Sequence, residues 1–303
     1  MVMRNCHQLG SLTFRPKGST LMSDDPGCFP VFSAPRAGFN PQTFFRPRAS
    51  WSLPEPKEGR MPAPAGSIST HARPNRLLQL LPDDERERLE ATMLRVPIQP
   101  HDMLHRPGES MSNVYFPLSG VISLMTPLED GSAVETATVG YEGMVGIHAF
   151  FGGGVIGNAL AMGQVPGEAL RMNADHFRAE VDGEGKLRQV MFSYAQALFA
   201  QIAQGVACNG AHTIPERCAR WLLECHDRAG SDRFLLTHEF LADMLGVRRP
   251  SVTVAARTLQ NAGVIEYSRG RISVLDREGL EEASCECYRV VKDEYRRLIA
   301  PIS

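Results

Sequence analysis

Basic character is missing from this 303-residue chain as a whole: 32 Lys and Arg stand against 34 Asp and Glu, a formal net charge of −2. No global positive field announces a polyanionic partner, so any such binding must rest on local charge. Long apolar runs are missing too. No stretch approaches the roughly 18–20 residues that a membrane helix needs. The opening MVMRNCHQLGSLTFRPKG also lacks the compact apolar stretch of a secretory signal. Cysteines are few, and the seven present are unevenly spaced, which does not read as a disulfide framework. The cytosol is the expected compartment, with no membrane partner. What remains is an ordinary soluble composition, 43% hydrophobic and 22% charged, with room for about two domains.

Residues 1–75 differ in texture from the rest. They hold 11 of the 21 prolines and nine Lys/Arg against four Asp/Glu, and no apolar periodicity is sustained in them. Such a segment buries too little surface to offset its ordering entropy, so it is expected to be a disordered extension. A basic tail with a function of its own, or a translation start at Met61, are the alternatives. From Arg76, RLLQLLPDDERERLEAT predicts one or two short amphipathic helices, with Pro82 near a start and acids in the first turn. Val96 to about Arg171 then breaks into short β-prone runs punctuated by glycine: DMLHRPGE, NVYFPLSGVISLM, LEDGSAVETATV, YEGMVG and GEALRM. Asp130-Gly131 is a hairpin signal. The spacing predicts a small antiparallel barrel or sandwich.

A long helix is expected over 185–208. Leu187, Val190, Met191, Tyr194, Leu198, Ile202 and Val206 recur at three- and four-residue steps and form one apolar stripe. Phe192, Ala195, Ala197, Phe199 and Ala203 lie off it. A second apolar face suggests a partner helix from another copy of the chain, the alternative being an ordinary core helix.

The sharpest pattern spans 215–275. Thr237 can cap a helix with Phe240, Leu241, Met244 and Leu245 on its apolar face, and Gly246 follows where a left-handed residue would end it. Pro250 suits the start of a second helix whose inward face is Val252, Ala255, Ala256 and Leu259. Two short helices joined by a tight glycine turn make a helix-turn-helix. The strands VIEYS and RISVLD, joined at Arg269-Gly270, then form a wing. Between Gly246 and Ile272 there are five arginines and one acid, Glu266. This local excess points to double-stranded DNA. Arg248 and Arg249 fall at the helix entrance that approaches base edges, and Ser251 and Thr253 can reach bases or phosphates. Arg257, with Arg269 and Arg271 at the hairpin tip, is positioned for backbone phosphates or the minor groove.

HRPGESMSNVYFPLSGVISLM and EFLADMLGVRRPSVTVAARTLQNAGVIEYSRGRISVLD resemble the CRP/FNR family of bacterial transcription regulators, over residues 76–298. The resemblance implies an α+β chain. It comprises a cyclic-nucleotide-binding-like double-stranded β-helix, or β-roll, over 76–184 and a dimerisation helix over 185–212. A winged helix-turn-helix over 213–280 and a C-terminal helix over 281–303 follow. It also implies a homodimer on a two-fold symmetric operator, with RNA polymerase recruited or obstructed. Members that bind cyclic nucleotides carry a Gly-Glu pair for the ribose and an arginine for the phosphate. Here Gly146 is followed by Ile147, and no arginine lies between Gly143 and Arg171. A buried phosphate without a cationic partner is costly, so tight binding of cyclic AMP or cyclic GMP is not expected and the effector is unknown. The recognition helix also departs from many members, with Arg249-Pro250 and then Val254 where they have Arg-Glu and a later arginine.

No cofactor, metal or catalytic residue is expected. Only Cys6 and Cys28 precede the roll, too few for the iron–sulfur cluster of oxygen-sensing members. Cys285-Glu286-Cys287 supplies half of a four-ligand site. Cys208, Cys218, Cys225, His212 and His226 could complete one, but buried apolar thiols are the favoured reading. The rival from another class is a metal enzyme or small-molecule sensor built on the roll, with the winged module binding a protein. His101, His105 and His148, with Glu109 and Glu135, lack the H-x-H or H-x-D spacing that such a metal site would show.

Overall fold

The computed structural model describes residues 73–129, 131–152, 158–268 and 270–299. The expected disordered extension, with Cys6 and Cys28, therefore lies outside the described residues except at its last three positions. There the boundary moves: Asn75 is buried, and its side-chain amide donates to the carbonyls of Pro117 (2.9 Å) and Gly143 (2.8 Å). A 3₁₀ turn at Leu78–Leu80 and helix α1 (Asp83–Glu90) follow, with Pro82 just before α1 and three acids in its first turn. Glu85 has a second duty. Its carboxylate accepts from the backbone N–H groups of Lys186 and Leu187, both at 2.9 Å, and so caps the long helix 100 residues downstream.

Seven strands form the roll as two antiparallel sheets. β1 (Leu94–Ile98), β7 (Gly167–Asn173) and β3 (Asn113–Pro117) make one sheet in the order β1-β7-β3. β2 (Met103–His105), β6 (Leu160–Val165), β4 (Val121–Pro127) and β5 (Ala133–Val139) make the other, in the order β2-β6-β4-β5. The expected β4–β5 hairpin is present, with Gly131 at φ +83°; Asp130 lies outside the described residues. Two readings change. YEGMVG is a turn with a single bridge, Tyr115 to Val145, not a strand. LAMGQV, passed over among the β-prone runs, is strand β6. Its Gly163 passes so close to the Gln99 carbonyl that a Cβ would sit 2.3 Å from the oxygen. The space between the sheets is filled by Ile98, Tyr115, Ile122, Val139, Val145, Ala161 and Ala169.

Helix α2 (Ala174–Asp182), capped by Asn173, leads into the long helix α3 (Leu187–Ala211). Leu187, Val190, Met191, Tyr194 and Leu198 are buried as expected. Val206 is not: it is 70% exposed, on the side of α3 that faces away from the roll, while the adjacent Gly205 still approaches β5. Ala197, read as off the stripe, is fully buried. Phe192 (56% exposed) and Phe199 (73%) join Val206 on the outward side at seven-residue steps.

The C-terminal module comprises α4 (Ile214–Ala229), β8 (Arg233–Leu235), α5 (His238–Leu245), α6 (Arg249–Asn261), β9 (Ile265–Ser268), β10 (Arg271–Val274) and α7 (Arg277–Glu282). Thr213 and Glu216 build a capping box at the start of α4. The module packs directly on the roll. Val121, Met125, Leu160 and Val165 share one core with Trp221, Leu222, Leu241 and Met244. The last helix, α8 (Cys287–Leu298), then returns to α3, and Val291, Tyr295 and Ile299 enter the core around Met144, Tyr194 and Leu198.

Candidate nucleic-acid interface

Local chemistry sets the geometry of the turn between α5 and α6. The Thr237 hydroxyl accepts from the Phe240 N–H at 3.2 Å and starts α5. Gly246 ends it at φ +61°, and the Val247 N–H returns to the Ala242 carbonyl at 3.0 Å. One extended residue, Arg248, then precedes α6, with Pro250 in its first turn. Val252, Ala255, Ala256 and Leu259 are buried against α4 and α5. The helix is thereby held on one side and open on the other.

The open side carries the charge. Arg248, Arg249, Arg257 and Arg271 are all exposed, and among the described residues no ion pair involves any of them. The first turn of α6 contains no acid and no side chain caps it, so the positive end of the helix dipole is left for an external anion. Val254, 64% exposed, lies on the same outward face and can meet a thymine methyl. Nothing but its position off the inward stripe marks it in the sequence. The wing sheet has the order β8-β10-β9, with Gly270 at φ +75° in the turn that carries Arg271. Arg269 lies outside the described residues.

Thr253 also has contacts within the chain. It is half-buried, and its hydroxyl bonds to the Arg249 carbonyl (3.2 Å) and to His238 Nδ1 (3.1 Å). The His238 ring stacks on Tyr267 of β9 at 4.2 Å, and Tyr267 donates to the Leu236 carbonyl at 3.1 Å. Burial, with Arg249 nearby, pulls the His238 pKa down. Thr253 thus ties α6 to the wing as well as facing outward; Ser251, also half-buried, shows no such tie.

The other sequence candidates separate. His105 bonds to the Asn113 carbonyl, His101 meets the edge of Phe240, and the Glu135 carboxyl faces Ser123 and Trp221, so no metal set forms in the roll among the described residues. Cys218 and Cys225 are fully buried in the module core, and burial pushes both thiols up. His226 pairs with Asp232 at 2.7 Å. Cys208, His212, Cys285 and Cys287, in contrast, converge, with ligand atoms all within 4.8 Å of one another. These three cysteines are buried, as the reading of apolar thiols expects, and Cys208 and Cys285, 77 residues apart in sequence, are in contact.

A family described as Crp-like helix-turn-helix domain matches residues 216–283, and one described as cyclic nucleotide-binding domain matches 95–183. No curated protein matches the chain significantly. Among solved structures, a crp/fnr-family regulator from Eubacterium rectale is 17% identical, covering 68% of this chain and 96% of that one, with a TM-score of 0.55. A CRP/FNR-family regulator from Thermus thermophilus is 22% identical (63% and 98% covered, TM-score 0.52). The c-di-GMP-responsive global regulator of Xanthomonas campestris is 13% identical (64% and 99% covered, TM-score 0.53). At these identities the likeness to the structures is one of fold.

Proposed function

We propose that this chain, a member of the CRP/FNR family of transcription regulators by its two matched domains, binds a two-fold symmetric operator as a homodimer. The family is one of regulators and not of enzymes. The observation that carries the reading is a helix, α6, packed on one face while unpaired arginines surround the acid-free start of the other. In this reading α6 enters the major groove, with half-sites about 34 Å apart. Arg249, Ser251 and Thr253 face bases or the groove, while Arg248, Arg257, Arg269 and Arg271 set the protein on phosphates. Phe192, Phe199 and Val206, exposed at heptad spacing on α3, form the seam with the second copy. RNA polymerase is the further partner, and the cytoplasm the place of action. The functional units are the roll over 76–184, the dimerisation helix over 185–212, the winged module over 213–280 and the C-terminal helix over 281–303.

Selection of duplexes from a random pool, with sedimentation of Phe199→Glu beside the unmodified chain, tests this. The expected result is an inverted repeat bound by a dimer, and a monomeric variant that binds at least tenfold more weakly. Selection of no common sequence would contradict it.

In this reading the roll does not bind cyclic AMP or cyclic GMP tightly. Gly146 stands at φ +103° against Val114 and His105, the buried Ile147 follows it, and residues 143–170 contain no arginine or lysine. Saturable micromolar binding in calorimetry would overturn this. The similar regulator of Xanthomonas campestris is described as c-di-GMP-responsive.

A further inference from the structure

We propose that Cys208, His212, Cys285 and Cys287 bind one zinc ion, which clasps the start of the last helix to the end of the long one. Cys208 lies in the last turn of α3 and His212 just after it, four residues apart and so on one side. Cys285 and Cys287 bracket the start of α8. Cys208 Sγ is 3.5 Å from Cys285 Sγ, and Cys287 Sγ is 3.5 Å from His212 Nδ1. A disulfide would need about 2.05 Å. A tetrahedral zinc with three sulfurs at about 2.3 Å and a nitrogen at about 2.0–2.1 Å has edges of roughly 3.5–3.8 Å. The two separations of 3.5 Å fall at the short end of that range, and all four donor atoms lie within 4.8 Å of one another.

Three features support a metal over packed thiols. The cysteines are buried, at 0%, 5% and 1% exposure, and form a cluster of their own apart from the main cores. The histidine is oriented: its Nε2 faces the Glu286 carboxylate at 3.1 Å, which leaves Nδ1 to the sulfurs. A carboxylate on the far nitrogen is the usual outer partner of a metal-bound imidazole. Gln204 Nε2 donates to Cys287 Sγ at 3.0 Å, a bond that a thiolate accepts best.

Softness and geometry select the ion. Three thiolates and an imidazole within 4.8 Å suit a single tetrahedral zinc. A polynuclear iron–sulfur cluster interposes iron and sulfide between its thiolates and spreads them further. Four protein donors leave no open position, so the site is structural. On binding, three S–H protons pass to solvent and three Zn–S bonds and one Zn–N bond form, with no change of oxidation state.

The test uses the full chain expressed with added zinc and purified without chelator. About one zinc per chain is expected, and cobalt exchanged into it should give thiolate-to-metal charge transfer with tetrahedral ligand-field bands. Cys285→Ser should lower zinc content at least tenfold, while His212→Cys, which keeps four donors, should retain it. The cobalt spectrum of the unmodified chain decides the matter even where a variant fails to fold. Bound iron with a cluster spectrum, a Cys208–Cys285 disulfide in metal-free protein, or zinc below a tenth of an equivalent would each overturn the proposal.

Discussion

The two faces of the C-terminal module use arginine in opposite ways. Toward the roll, Arg228 is buried and bonded to Glu142 (2.7 Å) and Thr138 (2.8 Å), and Arg220 is bonded to Glu224 (2.6 Å). Away from it, Arg248, Arg249, Arg257 and Arg271 have no carboxylate partner among the described residues. The first set has its charge satisfied within the chain and holds the module in place. The second has its charge exposed to solvent and free to meet an external anion. A count of arginines does not separate the sets; burial and pairing do.

Breaking the inward set should have the largest effect. Arg228→Ala leaves Glu142 and Glu224 facing each other without their shared cation, and removing one partner of a buried pair costs about 3–5 kcal/mol. Chemical denaturation should read this loss in full, and an unchanged midpoint would remove Arg228 from the seam. On the outward face the loss moves from stability to binding. Arg249→Ala should cost about 1–3 kcal/mol of discrimination between operator and random duplex, with no change in denaturation midpoint. Arg271→Ala should weaken both duplexes alike and lower the salt slope by about one. Equal loss on both duplexes for Arg249→Ala would merge the two roles.

The seam should also respond to pH, gradually across several units. The Glu135 carboxyl is enclosed between Ser123 Oγ and Trp221 Nε1, the latter at 2.8 Å, and burial pushes its pKa up from about 4.5 to about 8. The unfolded chain releases this proton near 4.5 and the folded chain holds it to about 8. Stability therefore falls as pH rises through that window, by up to about 1.4 kcal/mol per pH unit. Glu135→Gln should flatten the slope in denaturation at stepped pH, and a slope that persists would place its source elsewhere.

The outward face was legible in the sequence because its signals are local. Thr237, Gly246 and Pro250 each act on the backbone within a few residues, and the arginines lie in the same 27-residue stretch. The seam was not legible: Glu135 and Trp221 are 86 residues apart, and neither is unusual in its own element. The same separation hid the Cys208–Cys285 contact. On α3 the periodicity was real, but both faces are apolar, so the pattern alone did not say which face the roll covers, and Val206 and Ala197 exchanged places. Strand β6 escaped because Ala161 and Gly163 are weak strand formers, kept there by the close approach of Gln99.

Since Cys208 and Cys285 sit 3.5 Å apart, the chain leaves for the DNA-reading module and comes back at one spot. The module resembles a plug whose two leads emerge side by side. A segment whose ends already meet can be exchanged without altering the span its host must bridge. Residues 213–284 are therefore a natural cassette. A different winged module could be seated there with a new operator preference, provided that it presents the same Trp221 and Arg228 surface to the roll.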